Sequence, residues 1–514
     1  MKTNEKISVS GGMDLGTYSS VGAMIDANGV AVPMKNLEGK ESTRSAVAFP
    51  PDGDPIVGQE ALNVAPLYPN CIAREMKLHI GEQDRQGNDV AMILDTKGNP
   101  LTPAQAQAVV AKKLIDDINA QIPYPLTDIV ITVPANYGNR ERQAILGIEK
   151  RIGCRILALV EEPVAAACTF INTCKPADGY YLVFDMGAGT TDLTVLEISG
   201  ATPRILVTKG QSNLGGRRCD MALIEVIGRI AKDSGIDIAN AQDPATLYEF
   251  HEKVERAKIT LTQAEKTLFF MNFEGKILKT DLLRSEFEKA CAPILAELRD
   301  LVTTTIGEAK LTPEDIKGIL PNGPSCLMPM IVNLLGNLLP GVPVRRETDP
   351  VTAVAQGAAL MAAKYAQQDG RQSISKDGTE IRALDKVATV RAVATHGLGC
   401  QYLVNGKRDA KAFAVIISAN TPLPATKSET FRLLEESQTE VDVEVLQGEE
   451  GMSINQCVPV AKVKLDGIPA GKTDVSRIVV QYAYSRSGIV EVTVTDTISK
   501  KSVSSNIEHN MGSV

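Results

Sequence analysis

Tyr180–Ile198 reads YYLVFDMGAGTTDLTVLEI, and this stretch decides the fold. The apolar run from Tyr180 to Phe184 has the composition of a strand. Asp185, the small residues Gly187-Ala188-Gly189, Thr190, Thr191 and Asp192 follow, and then apolar residues resume. The order is strand, tight turn, strand, with a carboxylate and hydroxyls at the bend. Small residues at a bend let backbone N–H groups approach an anion closely. A carboxylate beside a phosphate requires a metal between them, because two negative groups otherwise repel. The local reading is a magnesium–nucleotide phosphate loop, with Asp185 holding a metal-bound water. The alternative is an ordinary hairpin with a flexible turn.

Residues 13–25, MDLGTYSSVGAMI, repeat the plan, with Asp14, Gly16 and Thr17 ahead of an apolar strand. Two aspartate-glycine-threonine hairpins about 170 residues apart suggest a duplicated fold that clamps nucleotide phosphates between its halves. The pair is far more specific than either copy.

Length and composition bound what such a fold can serve. A chain of 514 residues is long enough for two to four domains with a large core. A net charge of −8, with no polybasic run, argues against nucleic acid or an anionic membrane as a partner. The first residues, MKTNEKISVSGG, lack the apolar core of a signal peptide, and no apolar run is long enough to span a bilayer. Nine dispersed cysteines without a CxxC pair read as reduced thiols, hence a cytoplasmic compartment. The four histidines are too scattered in sequence to suggest a metal site.

Along the chain, residues 7–57 alternate apolar runs with turn signals and read as strands, and Gln59–Gly81 turns helical. Lys77 lies in that segment. It is either a solvated charge or, near a γ-phosphate, a group that offsets charge in a transition state. Thr102-Pro103 starts an alanine-rich helix, DIVITVP (128–134) is a buried strand, and Asn139–Arg151 is a charged helix. Glu161-Glu162-Pro163 stands at a strand-to-helix junction, where Glu162 is either a helix-start charge or a group that orients water. Gly215-Gly216 ahead of a helix makes a second anion cradle. Glu255, Lys258 and Thr262 share a helix face, which pattern alone would assign to solvent. Ser285–Thr304 reads as one long helix and Val351–Tyr365 as another. Gln367–Thr379 is polar and reads as a linker or loop. From Val387 onward short alternating strands imply an all-β sandwich.

In this order, MDLGT, VITVPA, EEPVAAA, FDMGAGTTD, ERAKITLT, TDPVTAVAQGAA, ISANTPLP and GIVEVTVTD make the chain similar to the seventy-kilodalton heat-shock chaperone family from Met13 to about Ser505. The resemblance implies an α/β actin-like two-lobed ATPase (residues 1–366), a linker (367–391) and a β-sandwich that binds peptides (392–514). It implies ATP/ADP and Mg2+ as cofactors, with Asp14 and Asp185 holding the magnesium through its waters. Gly16, Thr17, Tyr18 and Thr190 would face the phosphates, and Lys77 would stabilise the transferring phosphoryl group. Glu162 would sit near metal and water. Gly187, Ala188 and Gly189 would form one phosphate turn, and Gly215 and Gly216 the other. Glu255, Lys258 and Thr262 would line the adenosine side, with Gly323 in the adenine loop. Phe431, Val441 and Val443 would form an apolar pocket for extended peptides, and Pro134 and Arg142 a relay to the linker. J-domain and nucleotide-exchange cochaperones are the implied partners.

Several positions depart from the family pattern. DLGTT reads DLGTY, so Tyr18 either replaces a phosphate-loop threonine or marks a one-residue deletion. The adenine loop reads Gly323-Pro324-Ser325-Cys326-Leu327, without its stacking arginine. The linker reads Val387-Ala388-Thr389-Val390-Arg391, less apolar than the family's. The first sandwich loop carries Lys407, Arg408, Asp409 and Lys411. No helical lid follows the sandwich, which implies fast peptide exchange. Three functions are therefore compatible with the sequence. A divergent chaperone-like ATPase leads, followed by a nucleotide-responsive scaffold dedicated to one partner. A sugar kinase or filament-forming actin relative comes last, since neither needs a C-terminal sandwich.

Overall fold

The computed structural model describes residues 7–200, 202–236, 238, 243–273, 275–381, 384, 394, 397–403, 411–418 and 421–507. The chain forms two compact units. The first comprises Met1–Pro134, Ile148–Leu157 and Glu161–Thr389, the second Ala135–Gly147, Ala158–Val160 and Val390–Val514.

The first unit is built on two hairpins of the same design. In one, Ile7–Leu15 pairs antiparallel with Ser19–Ile25, which pairs in turn with Ala31–Met34, while Asp128–Val133 runs parallel on the other side of Ile7–Leu15. In the other, Gly179–Met186 pairs antiparallel with Thr190–Ser199, which pairs with Thr202–Ser212, while Ile316–Asn322 runs parallel on the far side. The order of these four strands is the same in both sheets, although the first sheet carries further strands, so the repeat seen in the two motifs extends to topology. The inner strands are buried along most of their length, as parallel pairing with covered faces demands.

The alanine-rich helix Ala353–Gln368 lies against this framework. A Cβ at Gly12 would stand 2.1 Å from the backbone nitrogen of Ala359, and one at Gly357 1.9 Å from the carbonyl oxygen of Ala165. The helix therefore packs backbone to backbone against strand Ile7–Leu15 and helix Glu162–Cys174. Small residues on all three elements permit that approach.

Several elements differ from the sequence expectation. The helical reading of Gln59–Gly81 resolves into helix Gln59–Val64, strand Ile72–Arg74 and a 3-10 turn, Met76–His79. Pro66 and Pro69 deny the segment a continuous helix. The long helix at 285–304 is two helices, Arg284–Ala290 and Ala292–Glu308, broken at Cys291 by Pro293 in the first turn of the second. Asn139–Arg151 likewise divides into Asn139–Leu146 and Glu149–Ile152. The polar stretch expected to open the linker at 367 instead ends the alanine-rich helix and then forms strand Gln372–Ile374, paired parallel with Ile7–Val9. A three-residue strand in polar sequence carries no period that could reveal it. The linker residues Val387–Arg391 and the loop residues Lys407, Arg408 and Asp409 lie outside the described residues.

The second unit contains two antiparallel four-stranded sheets. One has the order Lys411–Ile417, Leu398–Leu403, Glu440–Gln447, Val458–Asp466, and the other Ala425–Arg432, Ser476–Tyr484, Val490–Asp496, Ser502–Ile507. Their inward residues form one core that includes Leu398, Val445, Val480, Tyr482 and Val492. Arg477 and Asp496 are paired inside this unit at 2.6 Å, with both side chains almost fully buried. Arg142 also belongs to the second unit, where it donates to the carbonyls of Tyr137 and Ser487, each at 3.0 Å.

Candidate nucleotide site

Both hairpin turns are shaped by close backbone contact. At the first, a Cβ on Gly16 would come within 2.2 Å of the Ser19 carbonyl oxygen, so only glycine fits. At the second, the amide of Gly187 donates to the Thr190 carbonyl at 3.0 Å and closes the turn. Gly189 faces Thr17 and Leu78, which brings the two turns together: a Cβ there would lie 3.8 Å from the Thr17 methyl.

The helix Gly216–Asp233 starts against the second turn. The Gly216 amide donates to the Gly187 carbonyl at 3.0 Å and the Arg217 amide to the Ala188 carbonyl at 2.8 Å. A Cβ on Gly215 would lie 2.6 Å from the Ala188 oxygen. The paired glycines thus dock the helix on the turn. The expectation of a second anion cradle is corrected here for Gly216, because its N–H already has a protein acceptor. A cavity of about 220 Å³ opens beside the junction, lined by Leu78, Gly189, Ser212, Asn213, Gly215 and Arg217 among others.

At the bends sit the charged groups. Asp14 accepts from the Thr132 hydroxyl at 3.2 Å, and Asp185 accepts from the Asn322 amide at 3.4 Å. Lys77, from the 3-10 turn, forms an ion pair with Glu162 at the head of helix Glu162–Cys174. Thr190 donates its hydroxyl to Asp192 at 3.3 Å. The four carboxylates lie close enough to perturb one another. Burial raises Asp14 to about 6, against the pull of Lys77 and with a further push from Glu162. Burial, then Glu162, Asp192 and Asp14, hold Asp185 well above the usual carboxylate range. Burial and Glu162 raise Asp192 to about 7. One lysine does not balance this much negative charge. The cluster therefore fits a bound cation. Among the described residues no three His, Cys, Asp or Glu side chains form a ready-made metal-ligand group.

The helix Pro244–Gln263 supplies the other flank. Glu255 is ion-paired with Arg44 at 3.0 Å, and Lys258 with Asp220 at 2.8 Å. Lys258 also donates to the Gly216 carbonyl at 3.2 Å, which places it beside the turn. The Thr262 hydroxyl donates to the Lys258 carbonyl within its own helix, at 3.1 Å. Gly323 takes φ +74° and sits on the end of strand Gly179–Met186, where a Cβ would lie 2.5 Å from the Met186 oxygen. Ser325 in the same loop donates to the Gly187 carbonyl at 2.9 Å.

In the second unit Val443 is buried in the sandwich core, and Phe431 and Val441 are half-buried against it. Phe431 stands on a strand of one sheet and Val441 and Val443 on a strand of the other. Sequence reasoning missed Arg44 and Asn322 as members of the first unit's cluster, named Ser325 only as part of the adenine loop, and gave Asp192 no role. Asp192 was visible inside the motif, but nothing around Arg44 marks it.

A family model described as Hsp70 protein matches residues 10–513. Relatives named chaperone protein DnaK are similar over most of their own length. The one from Thermus thermophilus is 30% identical over 97% of this chain and 80% of its own. The one from Cyanophora paradoxa is 32% identical over 94% and 77%, and the one from Deinococcus radiodurans 30% over 97% and 79%.

Proposed function

Since this chain belongs to the Hsp70 protein family, we propose that it is a divergent chaperone-like ATPase, with an actin-like two-lobed ATP site in residues 1–366 and an extended-peptide site in the sandwich at 392–514. The single observation that carries this reading is the convergence of Asp14, Lys77, Glu162 and Asp185 around two hairpin turns of the same design. Mg2+, when bound with ATP, supplies the positive charge that offsets the phosphates and the aspartates. Asp14 and Asp185 are the residues that would hold it, through water. Gly16, Gly187, Ala188 and Gly189 keep the backbone slim where the phosphates approach, and Thr17 and Thr190 offer their hydroxyls to them. Lys77 brings a cation to the transferring phosphoryl group, and Glu162 fixes Lys77 and orients the attacking water. Hydrolysis then rests on position and charge, without a covalent intermediate, and is slow.

Phe431 and Val441 offer half-buried apolar surface for unfolded or extended peptides. J-domain and nucleotide-exchange cochaperones are the partners this cycle calls for, in the cytoplasm, with no role for nucleic acid or membrane. Among the described residues no helix is long and apolar enough to cross a membrane. A second reading, a nucleotide-responsive scaffold with little turnover and one dedicated partner, draws on Val443, which is buried in the sandwich core.

Steady-state ATP hydrolysis with magnesium, with and without a panel of apolar peptides, tests both. Turnover that rises with peptide and is lost in Thr190→Ala supports the ATPase cycle. Nucleotide binding without turnover, or turnover indifferent to every peptide, supports the scaffold.

A further inference from the structure

Arg44 is a cation that no motif explains. It closes the short strand Thr43–Arg44, which pairs with Ser19 and Ser20, and the Ser45 amide donates to the Tyr18 carbonyl at 2.8 Å. The backbone thus fixes Arg44 beside the first turn. Its guanidinium carbon lies over the Tyr18 ring, 3.4 Å from the centroid, a cation–π contact. Its two terminal nitrogens donate to Glu255 on helix Pro244–Gln263, at 3.0 and 3.5 Å. The side chain is 21% exposed. Burial lowers its pKa to about 10, against the raising influence of Glu252 and Tyr248, so it stays cationic at neutral pH.

A guanidinium carries five N–H donors in a rigid fork. Glu255 takes two of Arg44's, and among the described residues the other three have no hydrogen-bond partner. A largely buried planar cation, held from below by a ring and from the side by a carboxylate, with donors left over beside a phosphate turn, is equipped to receive oxygen acceptors of a ligand. It is also preorganised, so little side-chain entropy is lost on contact. Glu255 is itself tied to this arginine, so the two act on a ligand together.

We propose that Tyr18, Arg44 and Glu255 form a recognition unit for the nucleoside part of the bound nucleotide, with Arg44 donating to the ribose oxygens and the ester oxygen that joins them to the phosphates. This rests on the ATP reading above. Tyr18 acts as the platform that keeps the fork in plane.

Calorimetric titration of the full chain with ADP and, separately, with inorganic tripolyphosphate tests the assignment, in wild type and in Arg44→Ala, Arg44→Lys and Tyr18→Thr. Loss of charge-assisted hydrogen bonds should weaken ADP binding about tenfold to a hundredfold, and the preference for ADP over tripolyphosphate should fall by the same factor. Arg44→Lys keeps the charge but not the fork and should lose most of that preference. Tyr18→Thr should move in the same direction. An Arg44→Lys protein that folds and retains the full preference overturns the assignment. So does an equal loss for both ligands, which would make Arg44 a general attractor of anions. Wild-type protein that binds neither ligand would overturn the ATP reading and, with it, the assignment.

Discussion

The carboxylate cluster makes the ligand-free chain less stable at neutral pH than it need be, and Asp192→Asn should reveal by how much. Asp192 stands at about 7 against an ordinary 3.8, chiefly because burial disfavours its charge and then because Glu162 repels it. A carboxyl with a raised folded-state pKa holds its proton more tightly in the native chain than in the unfolded one. Stability therefore falls as pH rises from about 4 through about 7, and the full penalty stands above that window. That difference corresponds to about 4 kcal/mol at pH 8 and under about 1 kcal/mol at pH 4. The Asp192 side chain is only half-buried, and solvent screening reduces the expected gain to about 2 kcal/mol at pH 8. Asparagine keeps an acceptor for the Thr190 hydroxyl, which now donates to Asp192 at 3.3 Å, and removes only the charge. Urea unfolding followed by circular dichroism suits a chain with no tryptophan; it would be run in EDTA at pH 4 and pH 8. The first unit should unfold at higher urea in the variant at pH 8, with little difference at pH 4. A variant no more stable than wild type at pH 8, or one stabilised equally at both pH values, would refute the electrostatic account.

Three further outcomes follow from the packing. Arg477→Met should destabilise the second unit by about 3–5 kcal/mol, because it leaves Asp496 charged and buried; Arg477 holds Asp496 far below the usual carboxylate range, so the deficit in urea midpoint should shrink as the medium turns acidic, where the variant's unpaired Asp496 takes up a proton and the wild-type pair loses its advantage. Gly357→Ala should lower stability by about 3 kcal/mol, since its Cβ would meet the Ala165 carbonyl and neither helix backbone can step aside; a thermal melt unchanged from wild type would contradict the close packing. Ellman's reagent should modify only Cys71 and Cys174 quickly in the folded chain, Cys71 first, because the other seven cysteines are buried and burial also raises Cys174. A third fast thiol would show that the buried set is accessible.

The sequence by itself determined the parts whose physics is local. Alternating and continuous apolar runs specify strands, glycines at bends specify turns, and a change in period near residue 390 separates a mixed α/β region from an all-β one. Asp14, Asp185 and Thr190 could be singled out for the same reason, since each stands next to a turn in the sequence. Thr102 and Gln105 form the capping box that begins helix Pro103–Asn119, again a signal contained in four residues.

Only the tertiary structure decided the contacts between distant segments. Lys77 meets Glu162 across 85 residues and Arg44 meets Glu255 across 211, and no periodicity links either pair. Gly216 looked like an open amide until the helix start docked on Ala188 and Gly187 and used it. Val443 is buried in a core that both sheets of the sandwich build. Strand Gln372–Ile374 exists because Ile7–Val9 offers it an edge. In each case the deciding term is which groups lose their contact with water when separate elements pack. Local sequence does not contain that information, because it depends on register and on the partner's surface.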